Sequence, residues 1–222
     1  METEEFIGQD FVGVAARARI RTPGGSRPVE ELAPGELVLT GTGTGIAKPI
    51  LWIGRKQIEP LRCDPRHGRP VRVCAGALGQ GPAHDLLLSP WCALLVGGVL
   101  VEASALVNGT TVRREEIGAF CFFGLEFADQ ELVLADGIAV ESFVAPPGCG
   151  TPDDDGFEEG LPGDSLFDNW PERLMLRPEW ETGAELPLPR ARSARQVPRA
   201  VRALLGQAAL HAGGAPGSGV AG

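Results

Sequence analysis

A chain of 222 residues, 43% hydrophobic and with a net charge of −9, is long enough to bury a core as one domain plus a tail. Its acidity opposes non-specific attraction to a polyanion, so a nucleic-acid partner is not expected. The opening METEEFIGQDFV has no basic stretch, and the longest apolar run, Leu94 to Val101, is too short and Gly-rich to span a bilayer; a cytoplasmic protein without a membrane partner is expected.

With 31 Gly, 19 Pro and only 6% aromatic residues, the composition suits short strands joined by tight turns. The first dozen residues read as an acidic leader. From Ala18 to Leu39 the chain reads as a strand, a Pro-Gly-Gly turn, one short helical turn ending at Pro34-Gly35, and a second strand. Gly41 to Gly45 (GTGTG) lacks the Lys-Ser/Thr ending of a phosphate loop and leads into a strand, which makes it a hairpin tip. Further strand signals are Lys48 to Ile53, PVRVCAG, LLLSPWCALLV, GVLVEASALV, FCFFGLEF, ELVLAD and IAVESFV. Asn108-Gly109 is the strongest hairpin-turn signal among them. The pattern predicts an all-β body.

After Pro146-Pro147 the character changes. The acids from Asp153 to Asp168 contain no basic residue and read as a solvated linker. Ser165 to Trp180 regains apolar residues able to dock on the body. Pro198 followed by RAVRALLGQAAL predicts a terminal helix, and GGAPGSGVAG a disordered end. The expected divisions are a leader over 1–12, a β domain over 13–147, an acidic linker over 148–164, an extension over 165–212 and a tail over 213–222. On this division, removal of everything after Pro147 leaves a folded core.

Cys63, Cys74, Cys92, Cys121 and Cys149 are odd in number and share no metal or redox spacing, so reduced, mostly buried thiols are expected. No cofactor and no metal site is expected. The histidines are His67, His84 and His211; along one strand His84 would lie about 26 Å from Cys92, too far for a nucleophile–base pair.

Four pieces, ARIRTPGGSRPVEELAPGELVL (18–39), ILWIGR (50–55), DLLLSPWCALLV (85–96) and ELVLADGIAVESF (131–143), stand in an order that resembles the Hint domain. That is the fold of hedgehog autoprocessing domains and inteins, here in its bacterial form. The resemblance runs from Val12 to Pro146 and implies an all-β Hint-like fold of short strands, followed by a mainly irregular C-terminal extension ending in a helix. The activity it implies is an acyl shift. A Cys or Ser at the domain's first residue attacks the preceding carbonyl, and a polar group, commonly the His of a Thr/Ser-x-x-His pattern, protonates the leaving amide nitrogen.

Relatives begin with a pattern like C-F-A-x-G-T-x-I-x-T-P. Counted back from Ile20, Thr22 and Pro23, the nucleophile falls on Gly13, which has no side chain. No Cys or Ser precedes Ser26. Where relatives read D-L-x-x-S-P-x-H, this chain has Asp85 to Cys92: Ser89 keeps the hydroxyl, while Cys92 replaces the histidine. Two further family histidines align with Gly124 and Gln130, and an aspartate with Ala128.

Gly13, Ser89 and Cys92 are therefore the candidate site residues, two of them substituted. The first reading is a Hint-like domain that has lost self-cleavage and serves in binding or structure, with an unidentified protein as possible partner. The second is autoprocessing through a substitute nucleophile, Cys92 or Ser89. The third is an interaction module working through the acidic and Arg-rich tail.

Overall fold

A computed structural model describes residues 11–58, 69–79, 81–116, 118–144 and 184–213. The leader to residue 10, the acidic linker, Ser165 to Trp180, Cys63, His67, Cys149 and residues 214–222 lie outside the described residues.

Strands β1 (Val14–Ala15) and β2 (Arg19–Thr22) flank a tight turn. There Arg17 takes a φ of 73° and its N–H donates to Glu30 Oε2 at 2.7 Å. Pro23-Gly24 then reverses the chain into β3 (Gly25–Pro28), a strand with no apolar alternation to announce it. One 3-10 turn, Val29–Glu31, leads through Pro34-Gly35 to β4 (Leu37–Thr40). GTGTG forms the tip that pairs β4 with β5 (Ile46–Pro49), as its glycines suggest. The chain continues through β6 (Trp52–Ile58), β7 (Val71–Val73), β8 (Leu86–Leu88), β9 (Ala93–Val96) and β10 (Val99–Glu102). Then come β11 (Val112–Arg114), β12 (Phe120–Glu126), β13 (Leu132–Ala135) and β14 (Ile138–Glu141). Asp136 and Gly137, with φ of 48° and 83°, make the β13–β14 turn, a mirror-image turn that fits strand twist.

Asn108-Gly109 is not a hairpin within one sheet. The residues before it form a 3-10 turn, Ala103–Leu106, and β10 and β11 belong to different sheets. Asn108 Oδ1 instead accepts from the N–H groups of Thr110 and Val112, closing a loop that carries the chain across.

With a last short strand, β15 (Arg190–Ala191), the strands form a six-stranded sheet, ordered β11-β7-β8-β1-β12-β6, and a nine-stranded one, ordered β15-β10-β9-β14-β13-β2-β3 with β4 and β5 branching from β13. Period-two alternation sorts their side chains. Val14, Leu86, Leu88, Phe123 and Leu125 of the first sheet share a core with Leu94, Val101, Val133 and Val140 of the second. The opposite face of the first sheet carries Phe11, Ala15, Trp52 and Phe122; that of the second carries Ala93, Leu100, Leu132 and Ala139. Phe11, read as leader, is only 4% exposed and part of this packing.

The chain's far end belongs to the same body. β15 (Arg190–Ala191) adds to β10 in parallel, and Leu186 and Leu188 lie on the outer apolar face of the nine-stranded sheet. Helix α1 (Arg199–Gly213) starts after Pro198 as predicted and buries Val201 and Leu205 in the main core. The molecule is mostly β with one C-terminal helix among the described residues.

Candidate functional site

β1 lies between β8 and β12, with Val14 opposite both Leu88 and Phe123. That register sets Gly13, one residue before β1, against Ser89, one residue after β8. The Ser89 N–H donates to the Gly13 carbonyl at 3.0 Å, and the Gly13 N–H donates to Ser89 Oγ at 3.2 Å. Ser89-Pro90-Trp91-Cys92 is a turn in which the Cys92 N–H reaches Ser89 O and Oγ, both at 3.2 Å. Both lone pairs of the Ser89 hydroxyl are thus engaged by backbone N–H groups. The structure brings Gly13, Ser89 and Cys92 together.

Cys92 is fully buried and free. Burial pushes its thiol well above the ordinary range and the Glu141 carboxylate adds to this, while the Arg190 cation and the nearby Gly13 backbone act the other way. A thiol in that setting stays protonated, and the protonated form is the unreactive one.

The space at Gly13 is closed. A Cβ there would stand 2.6 Å from the Phe123 carbonyl oxygen and 2.8 Å from the Phe11 ring. Gly124 is equally confined, its virtual Cβ 2.9 Å from the Val12 carbonyl oxygen and 3.1 Å from Phe11. Phe11 stacks obliquely on Phe143, with ring centroids 5.6 Å apart. The remaining cavity beside Gly13, Ser142 and Phe143 measures about 10 Å³, room for one water at most.

Behind the cluster sits Glu141, 3% exposed. It accepts from the Ala93 N–H at 2.7 Å, from Gln130 Nε2 at 3.0 Å, and from both terminal nitrogens of Arg190 at 3.1 and 2.6 Å. Those hydrogen bonds raise Arg190 above its ordinary value. Gln130 in turn accepts from the Leu186 N–H at 2.9 Å.

His84 stands apart from the cluster, its Nδ1 3.2 Å from Asp136 Oδ1. His211 lies on α1 and contacts the Gln207 carbonyl at 2.7 Å. Among the described residues no group of three His, Cys, Asp or Glu is placed to hold a metal, and no helix is long and apolar enough to cross a membrane.

The family model for the Hint domain matches residues 12–147. The chain belongs to the Hint domain family. The Hint body also has likenesses among solved structures. The MchDnaB-1 intein is 15% identical with a TM-score of 0.40, covering 59% of this chain and 99% of its own. The gp41-1 intein is 11% identical with a TM-score of 0.41, covering 58% and 97%. A bacterial intein-like domain from Clostridium thermocellum is 15% identical with a TM-score of 0.40, covering 60% and 98%. No curated protein matches the chain.

Three residues of this Hint domain's site escaped sequence reasoning. Phe11 was hidden in a stretch that reads as acidic leader. Arg190 and Glu141 are 49 positions apart, and nothing local links them. The available signal was Glu141 itself, a carboxylate in a strand whose other residues, Ile138, Ala139 and Val140, are all apolar.

Proposed function

We propose that this Hint domain no longer performs the family's acyl shift and serves as a binding or structural unit, with a protein as partner. Position 13, the family's nucleophile position by alignment, supports this most directly. It carries no side chain, and even a Cβ would meet the Phe123 carbonyl at 2.6 Å. The flanking groups support the same reading. Ser89 acts as a hydrogen-bond acceptor at the Gly13 amide, and Cys92 holds a neutral thiol where the family's proton donor aligns. The test is the intact mass of freshly purified protein, with and without added thiol or hydroxylamine. Full-length chain in every sample is expected; spontaneous scission between Val12 and Gly13 overturns the reading.

One observation favours a second reading, self-cleavage through Cys92: the Gly13 N–H and the Cys92 N–H share Ser89 Oγ as acceptor, each at 3.2 Å, which sets Cys92 beside the junction. Its ionisation opposes that reading, since attack requires the thiolate. Scission that disappears in Cys92→Ala would establish it.

A third reading is a partner-binding tail: its acidic part lies outside the described residues, and its Arg-rich part exposes Arg192, Arg195, Arg199 and Arg202, whereas Arg190, Val201 and Leu205 are engaged with the body.

A further inference from the structure

Strand β15 pairs with β10 over two residues only, Leu100 with Arg190 and Val101 with Ala191. So short a pairing is marginal without side-chain support. The support comes from three side chains, of which Asp129 accepts from the Ala184 N–H at 3.1 Å. Arg190 forks onto Glu141, and Gln130 holds the Leu186 N–H through its side chain and the Ala184 carbonyl through its own N–H at 2.9 Å. Leu186 and Leu188 roof the face made by Ala93, Leu100, Leu132 and Ala139. Nearby, Arg192 reaches Glu102 at 3.6 Å with a side chain 74% exposed, a contact of little weight.

Glu141 connects this docked segment to the Gly13 cluster. The carboxylate that receives Arg190 also receives the N–H of Ala93, the residue after Cys92. Ala191, Val197, Val201 and Leu205 share the buried core that contains Cys92. Release of the segment would therefore strip the cation from a buried carboxylate, withdraw Ala191 from the core and loosen the start of β9, where Cys92 stands.

We propose that residues 184–191 form a latch, locked by the Arg190–Glu141 pair, whose docking on β10 holds the start of β9, and with it Cys92, in its buried place. The latch holds whether or not the family's reaction has been lost, because it concerns access and not chemistry.

The experiment is alkylation of the full chain by N-ethylmaleimide under native conditions, with each cysteine followed separately by peptide mass. In Arg190→Ala, Cys92 is expected to react about tenfold faster or more than in wild type, as docking weakens. Cys74 and Cys121 should keep their wild-type rates, and Arg192→Ala should match wild type at every cysteine. An unchanged Cys92 rate overturns the proposal; so does a rise matched by equally faster amide exchange of Leu125 in β12, which would report opening of the whole fold. Should Arg190→Ala not fold, wild-type amide exchange decides the matter. The N–H groups of Leu186, Leu100 and Ala93 should exchange at one common rate, faster than that of Leu125 in β12. Exchange of these three at the rate of Leu125 would sink the latch.

Discussion

Arg190 holds both carboxylate oxygens of Glu141, at 3.1 and 2.6 Å, and so ties the far end of the chain to the strand beside the Gly13 cluster. A planar fork on a carboxylate is the strongest form of charged hydrogen bond. Arg190→Ala leaves Glu141 charged, 3% exposed and without its cation. Such a loss costs about 3–5 kcal/mol. The expected result is a matching fall in unfolding free energy by urea titration; a midpoint equal to wild type would contradict it.

Removal of residues 148–222 is a stronger form of the same change. It unroofs Ala93, Leu100, Leu132 and Ala139 and takes Val197, Val201 and Leu205 from the main core. The apparent boundary after Pro147 suggests a self-sufficient body, whereas the packing argues against one. We expect the truncated chain to lose cooperative unfolding, as followed by near-ultraviolet circular dichroism during a thermal ramp.

Ser89→Ala tests the hydroxyl at the junction. It leaves the Gly13 N–H without a partner and takes one of two acceptors from the Cys92 N–H. A buried, unsatisfied donor costs about 1–3 kcal/mol. Ser89→Thr, which keeps the oxygen, should lie closer to wild type unless its methyl group is crowded. Equal stability of Ser89→Ala and wild type would show that the hydroxyl carries no weight.

Restoring the family's nucleophile by Gly13→Cys should not restore the reaction. The new Cβ would meet backbone at 2.6 Å, where no rotamer change gives relief. Overpacking of this kind costs about 1–3 kcal/mol or more. A variant less stable than wild type, and uncleaved by intact mass, is expected; rapid cleavage would mean the junction is roomier than its geometry indicates.

The Cys92 thiol gives a pH signature. Burial, then Glu141, raises it above its unfolded value, so the native state keeps a proton that the unfolded chain releases. The contribution is complete below the ordinary thiol range and is lost as pH climbs through it towards the raised folded value. The loss approaches about 1.4 kcal/mol per pH unit. Cys92→Ala removes this one-proton slope, so its stability deficit relative to wild type should shrink between about pH 8 and 10. A deficit constant across that window would mean the thiol titrates as it does in the unfolded chain.

What could be read in advance was whatever the chain encodes locally. The alternation in ELVLAD and IAVES gives β13 and β14, GTGTG gives the β4–β5 tip, and Pro198 gives the start of α1. β3 escaped because Gly25–Pro28 has no apolar alternation; its place comes from pairing with β2. Asn108-Gly109 misled because a turn signal specifies a reversal and not the sheet to which the chain returns. At the candidate site, Gly13, Ser89 and Cys92 were legible by alignment to a family pattern. Phe11, Glu141 and Arg190 were not, because burial and pairing across long stretches of chain leave no mark on neighbouring letters.

The parallel addition of β15 to β10 joins residues synthesised some ninety positions apart. During translation, β10 keeps one edge unpaired until residues 190 and 191 emerge to cover it. Closure of that sheet edge is thereby timed by residues far downstream of the strand they cover.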